Sequence, residues 1–167
     1  TDTMSTRIAT TAIQPERTIK TSSGNIHISD GGTGGIPVLF IHSFGGNTSH
    51  WEKQLTHLRS SRRAIAMDIR GHGESAAPPD DNYRIDSIVN DIAAVADSLG
   101  LTRFVLVGHS MGGSSAIAYA AKYPEQVAGL LVTGTPGKTP ASTSTPVIAS
   151  LESDQYEKVM EDYMKRM

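Results

Sequence analysis

At 167 residues the chain is long enough for one domain with a real core. Its net charge of −2 and the lack of any basic run exclude an electrostatic footprint for nucleic acid, and the absence of cysteine excludes disulfides. No apolar run approaches the length of a bilayer span, and the opening "TDTMSTRIATTAIQPE" has no apolar signal core. The expectation is a soluble, cytoplasmic protein without a membrane span.

Residues 1–14 are threonine-rich and aperiodic, and read as a flexible N-terminal arm. From residue 15 onward the pattern alternates between strand and helix. "RTIKTS" and "NIHIS" are short alternating segments, joined at Ser23-Gly24 into a predicted hairpin. "DGGTGG" is a turn, and "IPVLFIH" after it is an apolar run of the kind found in strands buried on both faces. Trp51 to Leu58 is predicted helical, and "RRAIAMD" is another buried strand. In "YRIDSIVNDIAAVADSLG" the residues Ile85, Ile88, Val89, Ile92, Val95, Ala96 and Leu99 make one face of an amphipathic helix, ended by Gly100. Phe104 to Val107 is a short buried strand, Ser114 to Tyr123 an alanine-rich helix stopped by Pro124, and "VAGLLVTG" a last strand. Such alternation predicts an α/β domain with a mostly parallel sheet flanked by helices. Beyond Gly137 a polar loop leads to a helical pattern at 147–167, where Tyr156, Met160, Tyr163 and Met164 form a stripe read as packing.

Chemistry concentrates at "GHSMGG". A strand that becomes a helix within about two residues must bend sharply at Ser110, and Gly108 and Gly112 permit the close approach that the bend demands. The helix N-terminus beneath the hydroxyl presents unpaired N–H groups and a positive dipole end, which favour an oxyanion. A second Gly-rich loop, "HSFGGNTSHW", follows the third strand and is placed to offer another backbone donor. His42 and His109 are read as satisfying buried backbone groups, and Asp68, Arg70 and His72 in "DIRGHGES" as members of a hydrogen-bonded loop. No pair among the six histidines has a helical ligand spacing with a nearby carboxylate, so no metal site is expected.

The order of "HSFGG", "DIRGHGES" and "GHSMGG" resembles the N-terminal part of an α/β-hydrolase, from the first strand into the start of the cap. That resemblance implies a core over 15–137 lacking the C-terminal strands in this chain, and the start of a cap, or lid, over 138–167. It implies Ser110 as nucleophile, the backbone N–H groups of Phe44 and Met111 as oxyanion donors, and Gly45, Gly46, Gly108 and Gly112 as shapers of the two loops. Ser43 stands where the family usually has glycine. The activity implied is that of a serine hydrolase cleaving a carboxylic ester or related acyl bond of a small-molecule substrate, without metal or organic cofactor. Cofactor-free perhydrolysis, carbon–carbon hydrolysis and non-catalytic ligand binding use similar elbows. An aspartate at the elbow would have implied epoxide hydrolase or dehalogenase chemistry instead. In the family the triad's acid and histidine follow the serine, yet no histidine follows Ser110 here, so both are expected from a C-terminal remainder of the same protein.

Overall fold

The computed structural model describes residues 16–135. The expected arm at 1–14, the cap start at 138–167 and the Tyr156–Met164 stripe lie outside them. Six strands form one sheet: β1 Arg17–Thr21, β2 Gly24–Gly31, β3 Val38–Ile41, β4 Ala64–Met67, β5 Phe104–His109 and β6 Val127–Thr133. A 3-10 turn at Thr48–Trp51 runs into α1, Glu52–Leu58; α2 is Ile85–Ser98 and α3 is Met111–Lys122. The strand order is β1-β2-β4-β3-β5-β6, with β1 and β2 antiparallel to their neighbours and β4, β3, β5 and β6 parallel.

Period-two alternation sorts the core residues onto two faces. Leu39 and Ile41, Ile65 and Met67, and Phe104 and Leu106 face α2 and α3, where Ile88, Ile92, Val95, Ala116 and Tyr119 cover them. Val38, Phe40, Ala64, Ala66 and Val107 face the other side, under Leu55 of α1 and the partly buried Trp51. The central strands are thus buried on both faces, which is why they read as unbroken apolar runs. Gly100, at φ +66°, ends α2 as expected: the Leu101 N–H returns to the Ala96 carbonyl at 2.8 Å.

Three local boundaries differ from the sequence reading. The hairpin turns at Ser22-Ser23, because Thr21 and Gly24 already face each other across the ladder. The fifth strand runs on to His109, and α3 begins at Met111, three residues before the predicted start. Gly112 and Gly113 hid that first turn, since glycine disfavours helix; close packing against β3 and β5 overrides the preference.

Chain reversal places the two loops of interest together. The connection from β3 leads to β4 on one side, while the chain leaving β5 leads to β6 on the other. The carboxyl ends of β3 and β5 therefore form a topological switch point, the place where parallel α/β sheets bind ligands. Beside it, buried polar pairs fix the loop after β4. The Arg70 guanidinium grips Asp91 of α2 with two bonds, Nε to Oδ2 at 2.6 Å and an Nη to Oδ1 at 2.8 Å, and also donates to the Asn82 and Ser87 carbonyls. Asp91 lies inside the apolar stripe of α2, and the helical pattern alone gave no hint of its partner. Arg70→Ala strands a buried carboxylate, so the urea-denaturation midpoint should fall by the equivalent of about 3–5 kcal/mol; Arg70→Met with Asp91→Leu should recover much of that loss.

Candidate active site

Ser110 occupies a single-residue corner between β5 and α3, at φ +52° and ψ −116°. Only one other non-glycine residue described, Asp81, has positive φ. That conformation strains an L-residue by about 1–3 kcal/mol and persists because the surroundings over-determine it. The Ser110 N–H donates to the Thr133 carbonyl of β6 at 3.0 Å, and its carbonyl accepts from the Ser114 N–H at 3.0 Å and the Thr135 hydroxyl at 3.3 Å. Its hydroxyl is bonded to no described residue.

Glycines make the corner possible. A Cβ on Gly108 would strike the backbone of Gly112 and Gly113, and one on Gly112 would strike the carbonyls of Ile41 and His42. The first turn of α3 therefore rests backbone-to-backbone on both β5 and the start of the loop after β3. Ile41 pairs with Gly108 across the ladder, so Phe44 and Ser110 leave adjacent strands at the same end of the sheet.

The loop at 42–46 is pinned from below. His42 is fully buried; its Nε2 accepts from the Ile69 N–H at 2.9 Å, which leaves the Nδ1 proton for the Ser43 carbonyl at 2.7 Å. Burial holds its pKa below the usual histidine value, and His72 and His50 add to that effect against the opposing influence of the Ser43 carbonyl and Asp68. A turn closed by Gly46 N–H to Ser43 O, 2.9 Å, carries Phe44 and Gly45 at its centre. Gly45 takes φ +72°, whereas Ser43 is not among the residues of positive φ and fits its place without backbone strain. Gly46 has a different constraint: a Cβ there would press on the His50 ring at about the distance of 2.9 Å. Phe44 is exposed, with its ring edge-on to His72 at 5.6 Å. Neither the Phe44 N–H nor the Met111 N–H donates to an acceptor among the described residues.

Asp68, at the end of β4, ties this region together. Its Oδ1 accepts from the Thr48 N–H at 2.7 Å, and its Oδ2 from the Glu74 N–H at 3.0 Å and from His27 Nδ1 at 2.8 Å. Ser75 completes the loop, its hydroxyl donating to the Asp68 carbonyl at 2.7 Å while accepting from the His27 N–H. The "DIRGHGES" loop is thus hydrogen-bonded throughout. His109, by contrast, is half-buried and makes no side-chain hydrogen bond with a described residue, unlike the role expected for it. The role of His27 was missed, because nothing in the spacing of residues 27 and 68 links them.

A family model described as alpha/beta hydrolase fold matches residues 36–167. The chain belongs to this family. It is 38% identical over 120 residues to epoxide hydrolase 4 of Mus musculus, covering 71% of this chain and 33% of that protein. To 2-hydroxymuconate semialdehyde hydrolase of Pseudomonas sp. (strain CF600) it is 35% identical over 132 residues, covering 77% of this chain and 44% of the relative. Among solved structures, a thermophilic esterase from Thermogutta terrifontis superposes with TM-score 0.76 at 30% identity, covering 92% of this chain and 59% of the esterase. The chain spans about a third of the length of the mouse relative. No helix among the described residues is long and apolar enough to cross a membrane.

Two outcomes are expected of this α/β-hydrolase site. Gly112→Ala should lower stability by about 1–3 kcal/mol, because the new methyl has only backbone to push against; chemical denaturation measures it. The second concerns pH. Because His42 binds its proton less readily when folded, the unfolded chain holds more protons as pH falls below about 6.5. The stability tied to neutral His42 is full above that pH and is lost as pH drops toward the lower folded-state pKa. Denaturation midpoints in acid and in mild alkali should show this decline, and His42→Gln should reduce it.

Proposed function

We propose that the protein is a serine hydrolase of acyl bonds. Ser110 Oγ attacks a carboxylic ester or related carbonyl, and the Phe44 and Met111 N–H groups hold the oxyanion. Water then releases the acyl group. The observation that carries this reading is the strained φ of Ser110 at the N-terminus of α3, beside a loop with its own unpaired donor. Strain of that kind has no use in a plain turn, where glycine would serve at lower cost. A serine hydroxyl needs a base, and no histidine follows Ser110 in the chain, while His42 is committed to two backbone partners. We assign the triad's acid and histidine to a C-terminal part of the full-length protein.

The likeness to epoxide hydrolase 4 supports a second reading, epoxide opening, and the chemistry of the elbow weighs against it. A carboxylate that opens an epoxide leaves an ester, which water can cleave. Serine in the same place would leave an ether, which it cannot. With Ser110 at the corner, the covalent intermediate that water can release is an ester, as acyl substrates provide.

A fluorophosphonate probe should label the full-length protein at Ser110, and p-nitrophenyl esters should be hydrolysed. Ser110→Ala should remove both while leaving the denaturation midpoint nearly unchanged. Labelling that survives this substitution would refute the assignment of the nucleophile. Ligand binding without labelling or turnover would place the protein among the non-catalytic members of the fold.

A further inference from the structure

Folding gathers three ligand-type side chains that lie far apart in the sequence. Glu16 immediately precedes β1, His27 sits in β2, and Glu74 belongs to the loop after β4. One ligand atom from each lies within 4.8 Å of the others. His27 Nε2 stands 3.5 Å from Glu16 Oε2 and 3.8 Å from Glu74 Oε2. Its side chain is only 6% exposed, and this nitrogen has no hydrogen-bond partner.

The orientation of the ring is fixed from behind. Nδ1 lies 2.8 Å from Asp68 Oδ2, an oxygen that also accepts the Glu74 N–H. Paired in this way with an acceptor, Nδ1 carries the ring proton of neutral His27. The lone pair of Nε2 then points between two carboxylates, and three electron-rich atoms converge with no donor among them. Something positive belongs there.

We propose that Glu16, His27 and Glu74 form a divalent cation site, with Zn²⁺ as the ion it fits. Tetrahedral zinc with bonds of 2.0–2.2 Å separates its ligand atoms by about 3.3–3.6 Å, so the two distances from Nε2 need to change by only tenths of an ångström. A carboxylate behind the distal ring nitrogen is the usual support of a zinc-bound histidine, and Asp68 supplies it. An imidazole in the set favours zinc over calcium or magnesium, which take oxygen ligands. Such an ion would fasten the entry to β1 onto the loop after β4. Through Asp68 it would also brace Thr48, at the end of the oxyanion loop. This departs from the sequence expectation of no metal, which rested on close spacing within one segment.

A proton on Nε2 is the competing occupant, and the test separates the two. Tag-free full-length protein, freed of metal by a chelator, is titrated with ZnCl₂ near neutral pH by calorimetry, with MgCl₂ as a parallel arm. The expected result is one saturable zinc site per chain, no comparable response to magnesium, and a rise in Tm of several degrees. Glu16→Gln with Glu74→Gln should weaken zinc binding by about 10-fold or more. Both side chains are largely exposed, so the double variant keeps its fold. Absence of saturable zinc binding, equal binding by the double variant, or an equal response to magnesium would overturn the proposal. A nitrogen NMR signature of protonated Nε2 that persists in excess zinc would overturn it too.

Discussion

The contact on which the site depends is made between backbones. The first turn of α3 touches β5 through Gly108 and the end of β3 through Gly112, with no side chain between them. At that separation the helix has one available position, and the strand before it has a single residue in which to turn. Ser110 is forced into its unusual conformation by this geometry, and two backbone hydrogen bonds, with Thr133 and Ser114, and one from the Thr135 hydroxyl hold it there. The same contact sets the unpaired N–H groups of α3 against the loop that carries Phe44. The Ser110 corner and the approach of α3 to the loop after β3 are two results of one constraint.

A second, polar constraint supports the first. The loops at the carboxyl ends of the parallel strands contain little that could bury apolar area; Phe44 is turned outward and the glycines have nothing to bury. Buried carboxylates do the work instead. Asp68 collects the Thr48 and Glu74 amides and the His27 ring, and Asp91 collects Arg70. Each accepts several well-placed donors, the condition under which burying a charge is tolerated. His42, kept neutral by burial, joins the loop after β3 to the backbone after β4 without introducing a further charge.

Much of this architecture was legible in the sequence. Strand runs such as "VLFI" and "AIAM" announce burial on both faces, and the heptad-like spacing of α2 gives its inner face directly. The elbow was legible as well, because its glycines occur where a sharp turn needs them. Other features required the fold. The start of α3 was obscured by the glycine pair whose packing defines it. Asp91 sits in an apolar helical stripe, and only the position of Arg70 explains why a carboxylate is stable there. His27 and Asp68 are 41 residues apart and become neighbours through the antiparallel pairing of β2 with β4, a relation that local patterns do not encode.

The long reach of Asp68 also orders the assembly of the molecule. Its partners at Thr48 and His27 are 20 and 41 positions away, and those chain segments can meet only after β2, β4 and β3 have aligned. Closing such distances carries an entropic penalty that no local preference offsets. Alignment of the strands is therefore a condition for these bonds, and the loops they hold depend on it. In the reverse direction, loosening either loop alone costs the buried Asp68 one of its three donors, which opposes independent opening. The Thr48 and Glu74 amides are accordingly tied to a buried carboxylate, although they belong to segments that look, on the page, like ordinary surface turns.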